Sequence, residues 1–97
     1  MKISIAANEL KWIRKEINKI LPQSKILAFG SRVRGDHKSF SDLDLSLDCG
    51  SPIPLEKLSL LKEIFSQSTL PYSIDLIDWQ RIDTDFRKII LENNLEL

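Results

Sequence analysis

From Asp42 to Asp48 the chain reads Asp-Leu-Asp-Leu-Ser-Leu-Asp, a strict alternation of leucine with a small polar or acidic residue. In an extended chain successive side chains point to opposite faces. Leu43, Leu45 and Leu47 therefore share one side, and Asp42, Asp44, Ser46 and Asp48 share the other. A helix would scatter both sets around its axis. The stretch predicts a β-strand over 42–48 with a core face and an acidic face. Upstream, Ile26-Leu27-Ala28-Phe29 is apolar on both faces, which suits the interior of a sheet, and it runs straight into Gly30-Ser31.

The remaining segments fit around these two strands. Leu10, Ile13, Ile17, Ile20 and Leu21 recur at helical spacing and predict an amphipathic helix over 6–21, stopped by Pro22. Ser31 is a good N-cap for a short helical turn, 32–36, ended by Gly35. Residues 36–41 read as loop and 49–54 as a linker rich in breakers. A second amphipathic helix covers 53–66, with Leu55, Leu58, Leu61, Ile64 and Phe65 inward. After a turn at 66–71, residues 72–78 form a third strand, apolar except for Ser73 and Asp75 before its closing Asp78. Asp83 or Thr84 caps a last helix to about residue 93, with Phe86, Ile89 and Ile90 inward. The order α-β-(short α)-β-α-β-α predicts an α+β fold, a small mixed sheet of three or four strands with helices packed on it.

At 97 residues the chain is expected to be one domain, 1–97. Lys plus Arg and Asp plus Glu number 14 each, so the formal charge is zero, which argues against general binding to nucleic acid or an anionic membrane. Near-neutral charge leaves homodimers or hetero-oligomers open. Cys49 and His37 are the single cysteine and histidine, which excludes an internal disulfide and a Cys/His zinc site. Any metal would be held by oxygens, which suits magnesium, or manganese in its place. Neither the start nor any other apolar run resembles a signal peptide or a membrane span, and the cytoplasm is the expected setting.

Two motifs begin well and fail. Gly30 and Gly35 have phosphate-loop spacing, but Asp36-His37 stands where Lys-Ser/Thr is needed. Asp42-x-Asp44-x-Ser46 starts like a calcium loop, but Leu47 occupies the glycine position. What survives is a set of acids. If strands two and three are neighbours, Asp42, Asp44 and Asp75 converge. Close carboxylates repel, and divalent cations relieve that repulsion. Two cations about 4 Å apart can run an in-line phosphoryl or nucleotidyl transfer. In that reading Gly30 allows close backbone approach and Ser31 grips terminal phosphates. Asp75 is a metal ligand and a candidate base.

Each residue also has a plainer reading. Asp42 and Asp44 could line a solvated strand face, although Gly30-Ser31 and Asp75 weigh against it. Ser31 could simply cap a helix. Ser41 is read as structural, capping the turn or positioning Asp42. Arg32 and Arg34 either counter phosphate charge or are surface cations. His37, Lys38 and Asp48 read as solvated, Cys49 as a bystander, Trp12 as core rim, and Trp79 as core or interface.

Phe29-Gly30-Ser31-Arg32-Val33-Arg34-Gly35 followed by Ser41-Asp42-Leu43-Asp44-Leu45 resembles the signature of the DNA polymerase beta-type nucleotidyltransferases, and in particular the minimal nucleotidyltransferases. The resemblance covers the whole chain. It implies a Mg-ATP-dependent nucleotidyltransferase with two metal ions, triphosphate on Gly30 and Ser31, and metal on Asp42, Asp44 and Asp75. It also implies a partner, a helical HEPN-domain toxin, with AMP transferred to a tyrosine of that toxin and this chain as the antitoxin. No segment is left over for an acceptor-binding domain, which agrees with an acceptor arriving on another protein. Two alternatives stand beside this one: a non-catalytic antitoxin that masks its partner by binding, and an aminoglycoside-type small-molecule nucleotidyltransferase.

Overall fold

Leu43, Leu45 and Leu47 are completely buried, each with 0% of its surface exposed. In the computed structural model, which describes residues 5–35 and 41–97, they form the centre of a four-stranded sheet. The elements run α1 (Ala7–Ile20), β1 (Lys25–Phe29), α2 (Ser31–Arg34), β2 (Leu43–Asp48), α3 (Leu55–Ser66), β3 (Ile74–Asp78), a 3-10 turn (Trp79–Arg81), α4 (Thr84–Glu92) and β4 (Asn94–Glu96). The sheet order is β3-β2-β1-β4. β1 lies antiparallel to both β2 and β4, and β2 pairs with β3 in parallel. A parallel pair needs a crossover connection, and α3 supplies it.

The mixed sheet and its helices are the α+β arrangement expected. β1 is internal, as an apolar run on both faces requires. β4 is the fourth strand; it is short and follows α4 with no turn signal, so only its pairing reveals it. The leucine face of β2 packs with Ile13 and Ile17 of α1 and Leu58, Leu61 and Phe65 of α3. Trp12 packs edge-on against Phe65 at the rim of that core, as its position off the main stripe suggests.

Several boundaries and orientations differ from expectation. β2 starts at Leu43, so Asp42 lies just before the strand. β3 starts at Ile74, because Tyr72 is drawn into other contacts described below. Ser31 is inside α2 rather than its cap; Gly30 holds the cap position and no side chain caps the turn. Gly35 does end α2, in the left-handed conformation, with its N–H donating to the Ser31 carbonyl at 2.8 Å. Asp83 caps α4 by accepting from the Phe86 N–H at 2.8 Å. Leu55, Ile89 and Phe86 are exposed rather than inward, being 62%, 63% and 38% accessible. Leu55 and Ile89 lie beyond the edge of the surface their helices cover.

The second sheet face is only partly acidic. Phe29 and Leu27 pair with Asp44 and Ser46 across β1 and β2 and share their face. Phe86 of α4 packs edge-on against Phe29, and Ile90 is fully buried. α4 thus covers the β1 side of this face and leaves the acids at one end. Ser46 is buried to 1% exposure, and its hydroxyl has no hydrogen-bond partner among the described residues. The position was expected on an acidic, solvated face; the cover over this part of the sheet buries it. The loop reading for 36–40, with His37 and Lys38, lies outside the described residues.

Candidate active site

Asp44 and Asp75 are direct register partners on the parallel strands β2 and β3. Residues side by side in a sheet point to the same face, so the two carboxylates leave the sheet together. Asp42 precedes the strand and is exposed, as is Asp75; Asp44 is half-buried. Among the described residues no three acidic, histidine or cysteine side chains are gathered closely enough to hold a metal ion. The acids nonetheless sense one another. Burial, then the charge of Asp75, then that of Asp42 push the Asp44 carboxyl up to about 6, and the Arg34 guanidinium opposes them. Oxygen donors in mutual repulsion suit a hard divalent cation, and open positions leave room for phosphate oxygens. The donor chemistry is that of a hard divalent cation.

Gly30 closes the site from β1. Its φ is +83°, in the region that favours glycine, and a β-carbon there would collide with Asp44 Oδ2. The backbone of the Gly-Ser turn thus lies against the carboxylate. A glycine here leaves no side chain between this turn and Asp44. Ser31 follows at the start of α2, partly exposed, and Arg34 is exposed at its end.

Arg32 is placed differently from Arg34. It is buried to 4%, its guanidinium stacked over the Tyr72 ring with Cζ 4.2 Å from the centroid, and its Nε donates to the Ser41 carbonyl at 2.8 Å. Those surroundings fit a positioning role better than contact with phosphate. The Tyr72 hydroxyl lies 3.1 Å from Glu9 Oε1 in α1 and donates to it; burial and this bond raise its pKa. Sequence reasoning missed Glu9 and Tyr72, since neither has a motif and Tyr72 read as the start of a strand.

Away from the site, Asp48 is not simply solvated. It accepts from Gln80 Nε2 and from the Gly50 N–H, both at 2.9 Å, and these bonds lower its pKa. Trp79 lies under the Arg87 guanidinium, with Cζ 4.9 Å from the ring centroid, and Arg87 donates twice to the Trp79 carbonyl. This is an intramolecular packing role, at the end of β3 remote from Asp75.

Residues 13–97 match the family described as "Polymerase beta, Nucleotidyltransferase". The MntA protein of Haemophilus influenzae, assigned as a protein adenylyltransferase, is 39% identical over 89 residues, which are 92% of this chain and 78% of that protein. A Methanocaldococcus jannaschii protein with the same assignment is 34% identical over 92 residues, 91% of this chain and 93% of that one. Among solved structures, a toxin–antitoxin complex with AMP-PNP superposes with a TM-score of 0.76 at 18% identity, covering 95% of this chain and 72% of that chain. A mutant MntA–HpeT toxin–antitoxin complex gives 0.75 at 19% identity, covering 97% and 72%. At those identities the superpositions speak for the fold.

Proposed function

Because the chain belongs to the polymerase beta nucleotidyltransferase family, we propose that it transfers AMP from ATP to a hydroxyl group carried by a partner protein. The observation that carries the reading is the pairing of Asp44 with Asp75 beside Gly30, where one carboxyl is already pushed up to about 6 by its neighbours. The relatives assigned as protein adenylyltransferases favour a protein acceptor over a small molecule. The resemblance to toxin–antitoxin complexes favours a toxin as that protein, with this chain as its antitoxin. We take the partner to be a helical HEPN-domain toxin, the acceptor to be a tyrosine, and the setting to be the cytoplasm. Residues 1–97 would serve as one minimal nucleotidyltransferase domain.

Asp42, Asp44 and Asp75 would hold divalent cations, magnesium first. When bound, such cations neutralise triphosphate charge and lower the pKa of an attacking hydroxyl. Gly30 and Ser31 hold the triphosphate against β2, and Arg34 supplies positive charge at the rim. Asp75, exposed on the outer strand, accepts the acceptor's proton and returns it to water. The acceptor oxygen bonds to the α-phosphorus, the bond from that phosphorus to the α,β-bridging oxygen breaks, and pyrophosphate leaves.

Co-expression with a helical neighbour, followed by ATP labelled at the α-phosphate and Mg²⁺, tests this. Label and an AMP mass increment should appear on the neighbour, and Asp44→Asn should lower transfer by more than about a hundredfold, since even residues behind a metal ligand are worth up to that much. Equal labelling by the variant would refute the role of Asp44. Neutralisation of the partner by acid variants that cannot label it would favour the masking reading instead.

A further inference from the structure

Asp42 is anchored on both sides, although it lies outside the ladder of β2. On one side the Arg32 Nε donates to the Ser41 carbonyl at 2.8 Å. On the other the Leu43 N–H donates to the Ser73 carbonyl at 2.9 Å. The two anchors converge: Arg32 stacks on Tyr72, the neighbour of Ser73. The Tyr72 hydroxyl is in turn tied to Glu9 on α1. Arg32 and Tyr72 are 4% and 8% exposed, so this is a built clasp rather than a surface contact. Arg32 also belongs to the same short helix whose preceding glycine touches Asp44.

We infer that Arg32, clamped on Tyr72, is a positioning residue that fixes Asp42 relative to Asp44 for metal binding, and not a ligand of the triphosphate. The inference rests on the proposed nucleotidyl-transfer site. An arginine suits the task because its planar fork can stack on an aromatic face and still donate sideways, which a lysine cannot do. Asp44 is held by its strand. Asp42 lies outside the ladder, so the bonds at Ser41 and Leu43 on either side of it carry its placement.

Mn²⁺ titration by calorimetry, with AMP-PNP present, tests the clasp in the full chain. Arg32→Lys keeps the charge but loses the stack and fork, and Tyr72→Leu removes the platform while leaving the arginine. Both should weaken Mn²⁺ binding by about tenfold or more, the usual effect of disturbing residues behind a metal ligand. AMP-PNP affinity measured without metal should stay within about twofold, since Arg32 does not touch the triphosphate. Guanidinium ion at low millimolar concentration should partly restore Mn²⁺ binding to Arg32→Ala. Unchanged Mn²⁺ affinity in both variants overturns the inference, as does an equal loss of metal-free AMP-PNP binding. Failure of the wild-type chain to bind Mn²⁺ at all counts against the proposed site rather than the clasp. If one variant does not fold, the other decides. If neither folds, exchange of the Arg32 Nε proton in the wild type decides: exchange as fast as that of the exposed Arg14 refutes the clasp.

Discussion

Asp44 is the residue where charge, burial and backbone meet. Its carboxyl has an ordinary value of 3.8 and is pushed up to about 6 in the folded chain, chiefly by burial and then by Asp75 and Asp42. The folded state therefore holds this proton more tightly than the unfolded state. The resulting stability is fully present below pH 3.8, declines as pH rises, and is gone above about 6. Asp48 works in the opposite sense, since its pKa is lowered. Comparison with Asp44→Asn isolates the Asp44 term: between pH 4 and 7 the metal-free wild type should lose melting temperature relative to the variant. Mn²⁺ should abolish that relative loss, because a bound cation favours the ionised carboxylate. Gly30→Ala has a related expected outcome. The added methyl meets Asp44 Oδ2 at a backbone φ of +83°, so folding should weaken by about 1–3 kcal/mol and nucleotidyl transfer should collapse. At Gly35, φ is +92° with nothing within 4 Å, so Gly35→Ala should share the strain and keep most of the transfer.

Among the elements, the connection from β2 to β3 has its own fastening. The buried Asp78 accepts from the Ile53 N–H at 2.8 Å, from the Gln80 N–H at 3.0 Å and from Arg81 Nε at 3.1 Å. Arg81 Nη2 also donates to the Ile53 carbonyl at 3.0 Å. Asp78→Ala leaves the Ile53 N–H orphaned in the interior and should reduce stability by about 2–4 kcal/mol. Urea unfolding should show a lower midpoint at an unchanged slope. At this scale, what the sequence made legible was whatever repeats with a period. The leucines of β2 and the apolar stripe of α1 announced themselves, and the Asp44–Asp75 convergence followed once the strands were taken as neighbours. Asp78 closes a predicted strand, but nothing in its local pattern indicates Ile53 as partner. The same holds for Arg32, Tyr72 and Glu9, whose contacts join three separate segments. Ile89 and Leu55 fit the helical spacing yet face outward.

For the whole molecule, no helix of the described residues is long and apolar enough to cross a membrane. The sheet mixes two kinds of pairing. β1 meets β2 and β4 in antiparallel, while β2 meets β3 only through a crossover that includes α3. Asp44 and Asp75 lie on opposite sides of that crossover. Their meeting depends on a non-local pairing, exceeded in sequence separation by β1 with β4, and such contacts form late because a long loop must close first. A slip of one residue would set Ile74 or Leu76 beside Asp44 and turn Asp75 to the other face. The parallel register of β2 and β3 thus acts as a gate: the acids of the proposed metal site meet only once this pair has formed in register. In refolding experiments, Mn²⁺ binding should lag behind the recovery of helical signal, and simultaneous recovery would contradict this order. The proposed site would then be assembled only on a correctly registered sheet.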